Sequence, residues 1–508
     1  MIPIAHSDSR KLNSLKENIK NIPTVLGLFL ILGDVFSIVL SQILAEKSAL
    51  ALKSYFHSTI PLDAPYYDVH TNLFLILGII MTAVLYDKGL YTSRIPWWSQ
   101  VQYLARIVFF SLIAHGFLSF ALKLNEPRSF IIFCWFFVLT LMVALRIALF
   151  KLAVFLPSWK VPTVIISEGS TSEDLLYAFH SDLSTGYVVR KIFIRSPEDI
   201  VDLDIANLSG QQKQVKICYG QEDHCQYISD HPDNFFVISL DTFRDTARED
   251  IIRTLNDSNV PYAIVPTLSR ANLYQMEPKY FFGHDVVMLH IKNSDSDVLR
   301  TFLAHATKRV MDIVVSGILL LFIVPVVAVL AACLKIEGQG GTVFYGGRRI
   351  GKNNQFFNCW KLRSMEPDSN HLLEEYLEKN PDLKEDWDKY RKLPKDPRVT
   401  TRTARFLRKA SLDELPQIWN IFVGDMSLVG PRPILEDEVS YFEEDTLKEY
   451  LSVRPGLTGL WQVSGRNKTS FKRRIYWDSW YVRNWSLWGD IVILIKTPIV
   501  LLTRKGAS

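Results

Sequence analysis

The sequence has few cysteines, and their spacing forms no pair. The 508 residues include five, Cys134, Cys218, Cys225, Cys333 and Cys359. No two are separated by the two residues that are typical of a metal or redox pair. Cys134 and Cys333 also lie inside long apolar runs. The sequence therefore predicts neither a disulfide framework nor a cysteine-bound zinc ion.

The net charge is also small. The 57 lysines and arginines exceed the 53 acidic residues only enough to give a net charge of +4. A strongly basic surface is the main signature of nucleic-acid binding, so we do not expect nucleic acid as a partner. We expect no cleavable signal peptide either, because the first apolar run begins late and no small-residue cleavage pattern follows it.

Long apolar runs are what the sequence has in abundance, with 48% hydrophobic residues. Four segments, at 24–45, 70–87, 103–123 and 129–156, each have about the 20 residues that cross a bilayer. Basic residues of the connections and the tail predict that both ends of this unit are cytoplasmic. The sequence predicts a cytoplasmic tail at 1–23 and four transmembrane helices within 24–156. The charges used outside the tail are Lys88, Arg94, Arg146, Lys151 and Lys160.

Residues 157–295 alternate short β-branched runs with helical stretches. The first run is Val161–Ile166 and the last is Val286–Ile291. This alternation predicts a Rossmann-like α/β domain. The turn after the first run lacks the G-x-G-x-x-G pattern, and Glu168 would place negative charge where a pyrophosphate binds. We therefore expect the architecture without dinucleotide binding.

A fifth apolar run, residues 308–336, is long enough to span a bilayer as one straight helix. Lys308 and Arg309 stand at its start and Lys335 at its end. Basic residues on both sides favour two cytoplasmic ends, and therefore a segment that enters and leaves the same leaflet. Pro325, near the middle, removes a backbone donor and can kink the helix.

Residues 396–433 place an adjacent acid pair, Asp413–Glu414, in a basic frame. A carboxylate can be a nucleophile or a ligand of a hard metal, and arginines hold phosphate oxygens by paired hydrogen bonds. The stretch therefore suggests a metal and a phosphate in one place. A structural alternative is a capping box, in which Ser411 caps a helix and Glu414 reaches back. The frame consists of Arg398, Arg402, Arg405, Arg408 and Lys409, with Gly430-Pro431-Arg432-Pro433 on the other side.

Upstream, the stretch Phe344–Met365 mixes glycine, arginine and aromatic residues. It has two interpretations. One is a basic, solvated hairpin on the membrane surface. The other is one wall of a diphosphate site, with Lys361 and Arg363 as ligands of the phosphates.

Four motifs together resemble a known family. SLDELPQ and GDMSLVGPRP at the acid pair, KLRSM upstream and PGLTGLWQVSGR downstream resemble the bacterial polyprenyl-phosphate hexose-1-phosphate transferases, which are monotopic phosphoglycosyl transferases. The resemblance covers about residues 300–505. It implies a catalytic domain at 296–508 with a re-entrant helix at about 308–336, broken at Pro325, and interfacial helices near its end. Members often have serine before this proline, where this chain has Val324.

The resemblance also implies roles for individual residues. Asp413 would attack the sugar-bearing phosphorus, and Glu414 would hold Mg²⁺. Arg408 matches an arginine that contacts phosphate, and Arg432 matches one implicated in nucleotide binding. Nearby basic residues are expected to keep Asp413 ionised at neutral pH. The further candidates for substrate binding are Lys361, Arg363 and Arg398.

The larger members of this family start the synthesis of O-antigen, capsule or exopolysaccharide repeats. The resemblance therefore implies transfer of hexose 1-phosphate from a UDP-sugar to undecaprenyl phosphate, with release of UMP, at the cytoplasmic face of the bacterial inner membrane. Galactose is the favoured sugar and glucose the alternative. The family's architecture implies a homodimer. Two other classes stay open, an NAD-dependent enzyme that modifies nucleotide sugars and a non-enzymatic regulator of polysaccharide export.

Overall fold

The structure of the protein is a computed structural model. The chain forms two compact units, residues 1–267 and 268–508. The residues that the structure describes are 22–55, 67–124, 127–167, 170–182, 184–194, 215–219, 224–239, 245–258, 260–265, 276–280, 287–291, 298–337, 341–366, 370–380, 397–464 and 471–503.

The first unit begins with four helices, α1 (Thr24–Tyr55), α2 (Tyr67–Asp87), α3 (Trp97–Ala121) and α4 (Arg128–Ala153). Their inner faces bury large apolar side chains such as Leu30, Phe74 and Trp135, while their outer faces leave residues such as Phe36 and Phe120 exposed. Of these helices, α1, α3 and α4 are long and apolar enough to cross a membrane. The predicted apolar segments are therefore helices, and the bilayer accounts for their exposed apolar faces.

A buried ion pair lies inside this helical bundle. Nη2 of Arg146 donates to Oδ2 of Asp34 at 2.6 Å, and both side chains are 1% exposed. The hydroxyl of Tyr91 donates to the same oxygen at 2.8 Å, and Nη1 of Arg146 donates to Oε1 of Gln100 at 3.0 Å. The sequence suggested that Arg146 is a charge that flanks the fourth span. Arg146 instead lies buried in an ion pair with Asp34, an acid 112 residues away in the chain.

The α/β part of the first unit has a five-stranded parallel sheet with the order β3-β2-β1-β4-β5. The strands are β1 (Val161–Ile166), β2 (Tyr187–Ile194), β3 (Lys216–Tyr219), β4 (Phe235–Ile238) and β5 (Tyr262–Ile264). Three helices, α5 (Ser170–Ser181), α6 (His224–Asp230) and α7 (Asp245–Asp257), alternate with them. The predicted α/β alternation with a parallel sheet is confirmed. Glu168, on which the argument against a dinucleotide rested, lies outside the described residues.

The last strand that the sequence predicted for the α/β domain, Val286–Ile291, is not part of the parallel sheet. It forms β7 (Val287–Ile291), which pairs antiparallel with β6 (Met276–Tyr280) in a separate two-stranded sheet. These strands lie in the second unit, not in the parallel sheet.

The connection between α2 and α3 docks on the α/β part. Nη1 of Arg94 donates to the carbonyls of Trp159 at 3.0 Å and Thr185 at 2.6 Å. A Cβ on Gly186, whose φ is +70°, would come within 2.6 Å of both Arg94 and the Trp159 carbonyl, so the close approach requires glycine. This end of the helical bundle is thereby fixed to the sheet.

After β6 and β7, the second unit continues with α8 (Val298–Ile336), the longest helix among the described residues, which has Pro325 inside it. An antiparallel hairpin follows, β8 (Phe344–Ile350) and β9 (Phe356–Leu362). After helix α9 (Asn370–Lys379) come α10 (Arg402–Ala410), α11 (Gln417–Val423) and the parallel pair β10 (Ser427–Val429) and β11 (Gly456–Thr458). The remaining helices are α12 (Glu444–Leu451), α13 (Leu460–Ser464), α14 (Phe471–Arg483) and α15 (Leu487–Thr503).

Helix α8 differs from the expected broken helix, because it continues through Pro325 without an interruption. Both of its ends nevertheless pack on the same unit. Near its start, Nζ of Lys308 donates to the carbonyl of Val429 at 2.9 Å. Near its end, Leu334 packs with Leu407, and the Glu337 carboxylate accepts from the Thr403 backbone at 3.0 Å.

Candidate active site

The acid pair lies in a short turn between two helices. Helix α10 ends at Ala410, Ser411 adopts the left-handed conformation with φ of +57°, and Leu412–Glu414 form a single 3₁₀ turn before α11. Ser411 makes no side-chain cap and instead ends α10, whose N-cap is Thr401. The capping-box alternative is therefore wrong, and the Glu414 carboxylate is left to bind another partner.

That partner is Lys361, at the end of strand β9. Its Nζ lies 2.6 Å from Oε1 of Glu414, and the two side chains are 27% and 39% exposed. Partly exposed ion pairs contribute little to stability, typically about 0–1 kcal/mol. The pair matters chiefly because it sets the charge next to Asp413.

Asp413 and Glu414 differ in acidity although they are neighbours in the chain. Burial and the Glu414 charge raise the pKa of Asp413 to about 6, against the opposing effects of Lys361 and Arg408. Burial also raises the pKa of Glu414, but Lys361, Arg432 and Arg349 together outweigh it, so that this pKa lies below its ordinary value. Burial therefore outweighs the basic frame, which limits the rise in the pKa of Asp413 but does not reverse it. Asp413 is still ionised by about ten to one at pH 7.

The other predicted site residues lie at different places around this pair. Arg408 lowers the pKa of Asp413, and Arg432 lowers that of Glu414, so both charges reach the dyad. Arg363 instead donates to Oγ1 and the carbonyl of Thr342, at 3.0 and 2.6 Å. The carbonyl of Arg398 accepts from the Glu366 backbone at 3.1 Å. Pro325 lies inside helix α8 and is distant in the sequence from the acid pair.

Asn420 positions the dyad, and sequence reasoning missed it. Its side chain accepts from the Trp360 backbone at 3.0 Å and donates to the Asn358 carbonyl at 2.8 Å. It is fully buried and also donates to Asp425. Because Asn420 lies on α11 and its partners on β9, it fixes the strand that carries Lys361 against the helix that follows Glu414. One asparagine among many gives no local signal of this role.

Charged residues in the first half of α8 hold the other flank of the site. Nζ of Lys308 pairs with Asp490 at 2.6 Å, and Asp312 accepts from the Leu428 backbone at 2.9 Å. These contacts fix strand β10, which leads directly into Gly430-Pro431-Arg432-Pro433. Arg309 donates to the carbonyls of Ile421 and Phe422 at the end of α11. Lys308 and Arg309 therefore bind protein groups and do not act only as charges that flank a membrane segment.

The dyad is compatible with Mg²⁺ that is shared with a substrate. The described residues contain no group of three or more His, Cys, Asp or Glu side chains that could hold a metal by themselves. Mg²⁺, however, is commonly bound by one or two carboxylates together with substrate phosphates. Glu414 is partly exposed and uses Oε1 for Lys361, so its other oxygen can bind an ion.

Comparison with known proteins identifies the family of this chain. A family model described as "Bacterial sugar transferase" matches residues 303–504. The undecaprenyl-phosphate galactose phosphotransferase of Salmonella typhimurium is 36% identical over 419 residues, which are 82% of this chain and 84% of that protein. This chain belongs to the bacterial sugar transferase family. The resemblance inferred from the four motifs is confirmed, and the chain is an enzyme.

Other relatives match longer or shorter parts of this chain. An uncharacterized sugar transferase of Haemophilus influenzae is 32% identical over 465 residues, which are 90% of this chain and 94% of that protein. The exopolysaccharide production protein ExoY of Rhizobium meliloti is 50% identical over 198 residues, which are 39% of this chain but 86% of that protein. ExoY is therefore a shorter relative, most of which aligns with about two fifths of this chain.

Proposed function

We propose that the transferase moves hexose 1-phosphate from a UDP-sugar to undecaprenyl phosphate and releases UMP, as the first membrane step of polysaccharide repeat-unit synthesis. The observation that carries the proposal is the acid pair of unequal acidity, with Lys361, Arg408 and Arg432 around it. Two anionic substrates can approach one another only where their charge is neutralised. The name of the Salmonella relative supports the acceptor and the type of reaction.

In this mechanism a carboxylate oxygen of Asp413 attacks the phosphorus that carries the sugar. A bond forms between that oxygen and phosphorus, the bond to the bridging oxygen breaks, and UMP leaves. An oxygen of undecaprenyl phosphate then attacks the same phosphorus and frees the Asp413 carboxylate. Arg408 and Lys361 hold the transferred phosphoryl oxygens in fixed positions.

Glu414, held as an anion by Lys361, would bind Mg²⁺ together with the diphosphate of the donor. The ion would supply positive charge that makes UMP a better leaving group. The separated pKa values fit this division of labour, because the more basic carboxylate is the better nucleophile. Lys361 has a double role, since it orients Glu414 and adds positive charge beside Asp413.

The acceptor explains why the site must lie at the membrane. A soluble enzyme would have to extract the lipid at a cost of ~0.8 kcal/mol per CH₂. We propose that α8 is re-entrant and lies in the cytoplasmic leaflet of the inner membrane, which the contacts of both its ends with one unit support. Directly after the dyad, Trp419, Phe422 and Val423 are exposed on α11 and offer an apolar surface to lipid. Helix α15, with Pro498 inside it, would lie at the interface.

The identity of the sugar gives the test of the proposed function. We expect UMP release from UDP-galactose to depend on added undecaprenyl phosphate and to exceed release from UDP-glucose. The measurement is the initial rate of UMP formation with a panel of UDP-sugars and purified full-length protein in detergent. Faster release with UDP-glucose would select the alternative donor. No release with any donor would overturn the proposal and favour a regulator of export.

The pH dependence of the reaction should follow Asp413. The nucleophile must be ionised, so kcat/KM is expected to fall as the pH drops through about 6, the pKa of Asp413. Lys361→Met removes a charge that lowers this pKa, and the midpoint should therefore move to higher pH. Lys379→Met is the control, because that lysine is in an exposed pair with Glu375. A midpoint that stays in place or moves down in Lys361→Met would contradict the assignment.

The family's architecture also leads us to propose a homodimer. Light scattering of the purified full-length protein would measure its mass directly.

A further inference from the structure

An apolar groove lies between helices α1 and α2 of the first unit, and we call it the α1–α2 groove. Its volume is about 460 Å³, which is within the usual range of ligand pockets. One wall is a face of α1 formed by Ile31, Val35, Ile38 and Val39, and the other is a face of α2. The groove lies outside residues 303–504, the part of the chain that the family model matches.

The side chains that form the groove also fix its shape. Gly78 is buried on α2 and leaves room for Ile38, because a Cβ on this glycine would lie 3.0 Å from Cγ2 of Ile38. All four residues of the α1 wall are β-branched, and valine and isoleucine in a helix keep mostly one χ1 rotamer. The groove is therefore preformed.

The groove opens toward the bilayer and offers only hydrocarbon. Val35, Val39 and Ile79 at its rim are 45%, 48% and 70% exposed, whereas Ile38 at its floor is 5% exposed. The hydroxyl of Thr82, which also lines the groove, donates to a backbone carbonyl of its own helix at 2.9 Å. An apolar cavity does not hold ordered water, so the fitting occupant is a hydrocarbon chain.

Two tyrosines close the end of the groove where α2 leads into the connection that docks on the α/β part. The ring centres of Tyr86 and Tyr91 lie 6.4 Å apart, and the Tyr91 hydroxyl donates to Asp34. Tyrosine is enriched at the level of the lipid headgroups. Nζ of Lys88 follows at this end, 3.6 Å from Asp87 in an exposed pair. Such a pair is weak, so Lys88 can bind an anionic headgroup.

The form and charge of the groove favour a lipid with a single chain. A diacyl phospholipid has two chains, and a groove between two helices would leave one of them outside. A polyisoprenyl phosphate has all its hydrocarbon in one chain and its charge at one end. This distribution matches an apolar groove that ends beside a lysine.

We propose that the α1–α2 groove binds the chain of a polyisoprenyl phosphate, with the phosphate at Lys88. This inference rests on the proposed function, because the acceptor of that reaction is a lipid of this class. The groove is a second lipid site, separate in the chain from the acid pair. The four-helix bundle thereby has a role besides anchoring, since it retains a lipid of the acceptor's class on the enzyme.

Photo-crosslinking tests where the lipid binds. Full-length protein is placed in nanodiscs of phosphatidylethanolamine and phosphatidylglycerol with a trace of polyisoprenyl phosphate that carries a diazirine in its chain. Peptide mass spectrometry after irradiation should find label on the segments of α1 and α2 that line the groove. A roughly tenfold excess of undecaprenyl phosphate over the probe should lower this labelling about tenfold by mass action. A phosphatidylglycerol probe with the same diazirine should label these segments roughly tenfold less.

Tryptophan inside the groove should exclude the lipid. Val39→Trp and Ala83→Trp add a ring on opposite walls, at positions that are exposed. Overfilling a preformed site should lower the labelling by roughly five- to a hundredfold. Ile132→Trp is the matched control, because Ile132 is 56% exposed on α4 and does not line the groove. Lys88→Met should lower the labelling by about fivefold through the loss of charge at the headgroup.

The competing outcomes are separable. Label spread evenly over the exposed faces of all four helices would overturn the proposal, as would equal labelling by the phosphatidylglycerol probe or unchanged labelling in both Val39→Trp and Ala83→Trp. Polyprenol that competes as well as undecaprenyl phosphate would overturn the place of the phosphate at Lys88. A thermal midpoint near that of Ile132→Trp shows that a variant is folded, and two variants on different helices protect the test if one is not. Failure of the proposed function would appear separately, as absent UMP release from every UDP-sugar.

Discussion

Replacement of Asp413 by asparagine is expected to abolish sugar-phosphate transfer. The rate of UMP release should fall on the order of 10⁴-fold or more, because the amide cannot form the covalent bond to phosphorus on which both halves of the mechanism depend. The measurement is UMP formation from UDP-galactose in the presence of undecaprenyl phosphate. A second measurement uses donor labelled in the sugar phosphate: without acceptor, wild-type protein should retain label after denaturation, and Asp413→Asn should not.

The same change should leave the fold intact. Burial raises the pKa of Asp413, which means that the folded state disfavours its charged form. Above pH 6 this carboxylate opposes folding relative to a neutral side chain, so asparagine should unfold at the same temperature or a slightly higher one. Asp437→Asn, at an exposed acid on another turn, is the control and should retain activity. Full transferase activity in folded Asp413→Asn, or label retained on it, would exclude the nucleophile assigned here.

Asp490→Asn is expected to give the largest loss of stability. Asp490 is fully buried and accepts hydrogen bonds from Lys308 at 2.6 Å, the Tyr481 hydroxyl at 2.7 Å and Nε1 of Trp485 at 3.0 Å. Removal of one partner of a buried ion pair leaves the other charge uncompensated, which costs about 3–5 kcal/mol. Lys308 is 16% exposed and can reach some solvent, so we expect about 3 kcal/mol, the lower end of that range.

This loss should appear as a thermal midpoint that is lower by about 6–12 °C for a unit of this size. Activity should fall as well, since Lys308 also donates to the Val429 carbonyl at the start of the segment that carries Arg432. Glu444→Gln is the matched control. It breaks the exposed pair with Lys448, four residues away on α12, and should cost only about 0.3–0.5 kcal/mol. Equal midpoints for the two variants would show that the Lys308–Asp490 pair does not hold α8 to the catalytic strands.

Some of the architecture followed from the sequence because local periodicity encodes it. Runs of about 20 apolar residues can form only one kind of element in a bilayer, and the alternation of β-branched and amphipathic segments predicted the parallel sheet. The strand Val161–Ile166 was predicted at its observed bounds. Val286–Ile291 was also recognised as a strand, but its partner was not, because a strand's pattern does not specify which edge it joins.

At the site, the chain itself brought Asp413 and Glu414 together and placed Arg408 within reach of Asp413. Ser411 illustrates where local reasoning failed. Its sequence context fits a helix start, yet α10 ends there, because the preceding residues pack their apolar face, including Ala404 and Leu407, under α8. Likewise Arg363 belonged to the right motif, but Thr342 binds its guanidinium group.

The sequence by itself determined the family, the reaction type and the acid pair, because these depend on contiguous residues. Tertiary structure alone decided which charges surround that pair. Lys361 reaches Glu414 across 53 residues, Lys308 reaches Asp490 across 182, and Arg474 meets Trp461 through the packing of α13 and α14. Such contacts have no local signature, since a side chain's partner and pKa depend on which distant elements exclude water around it.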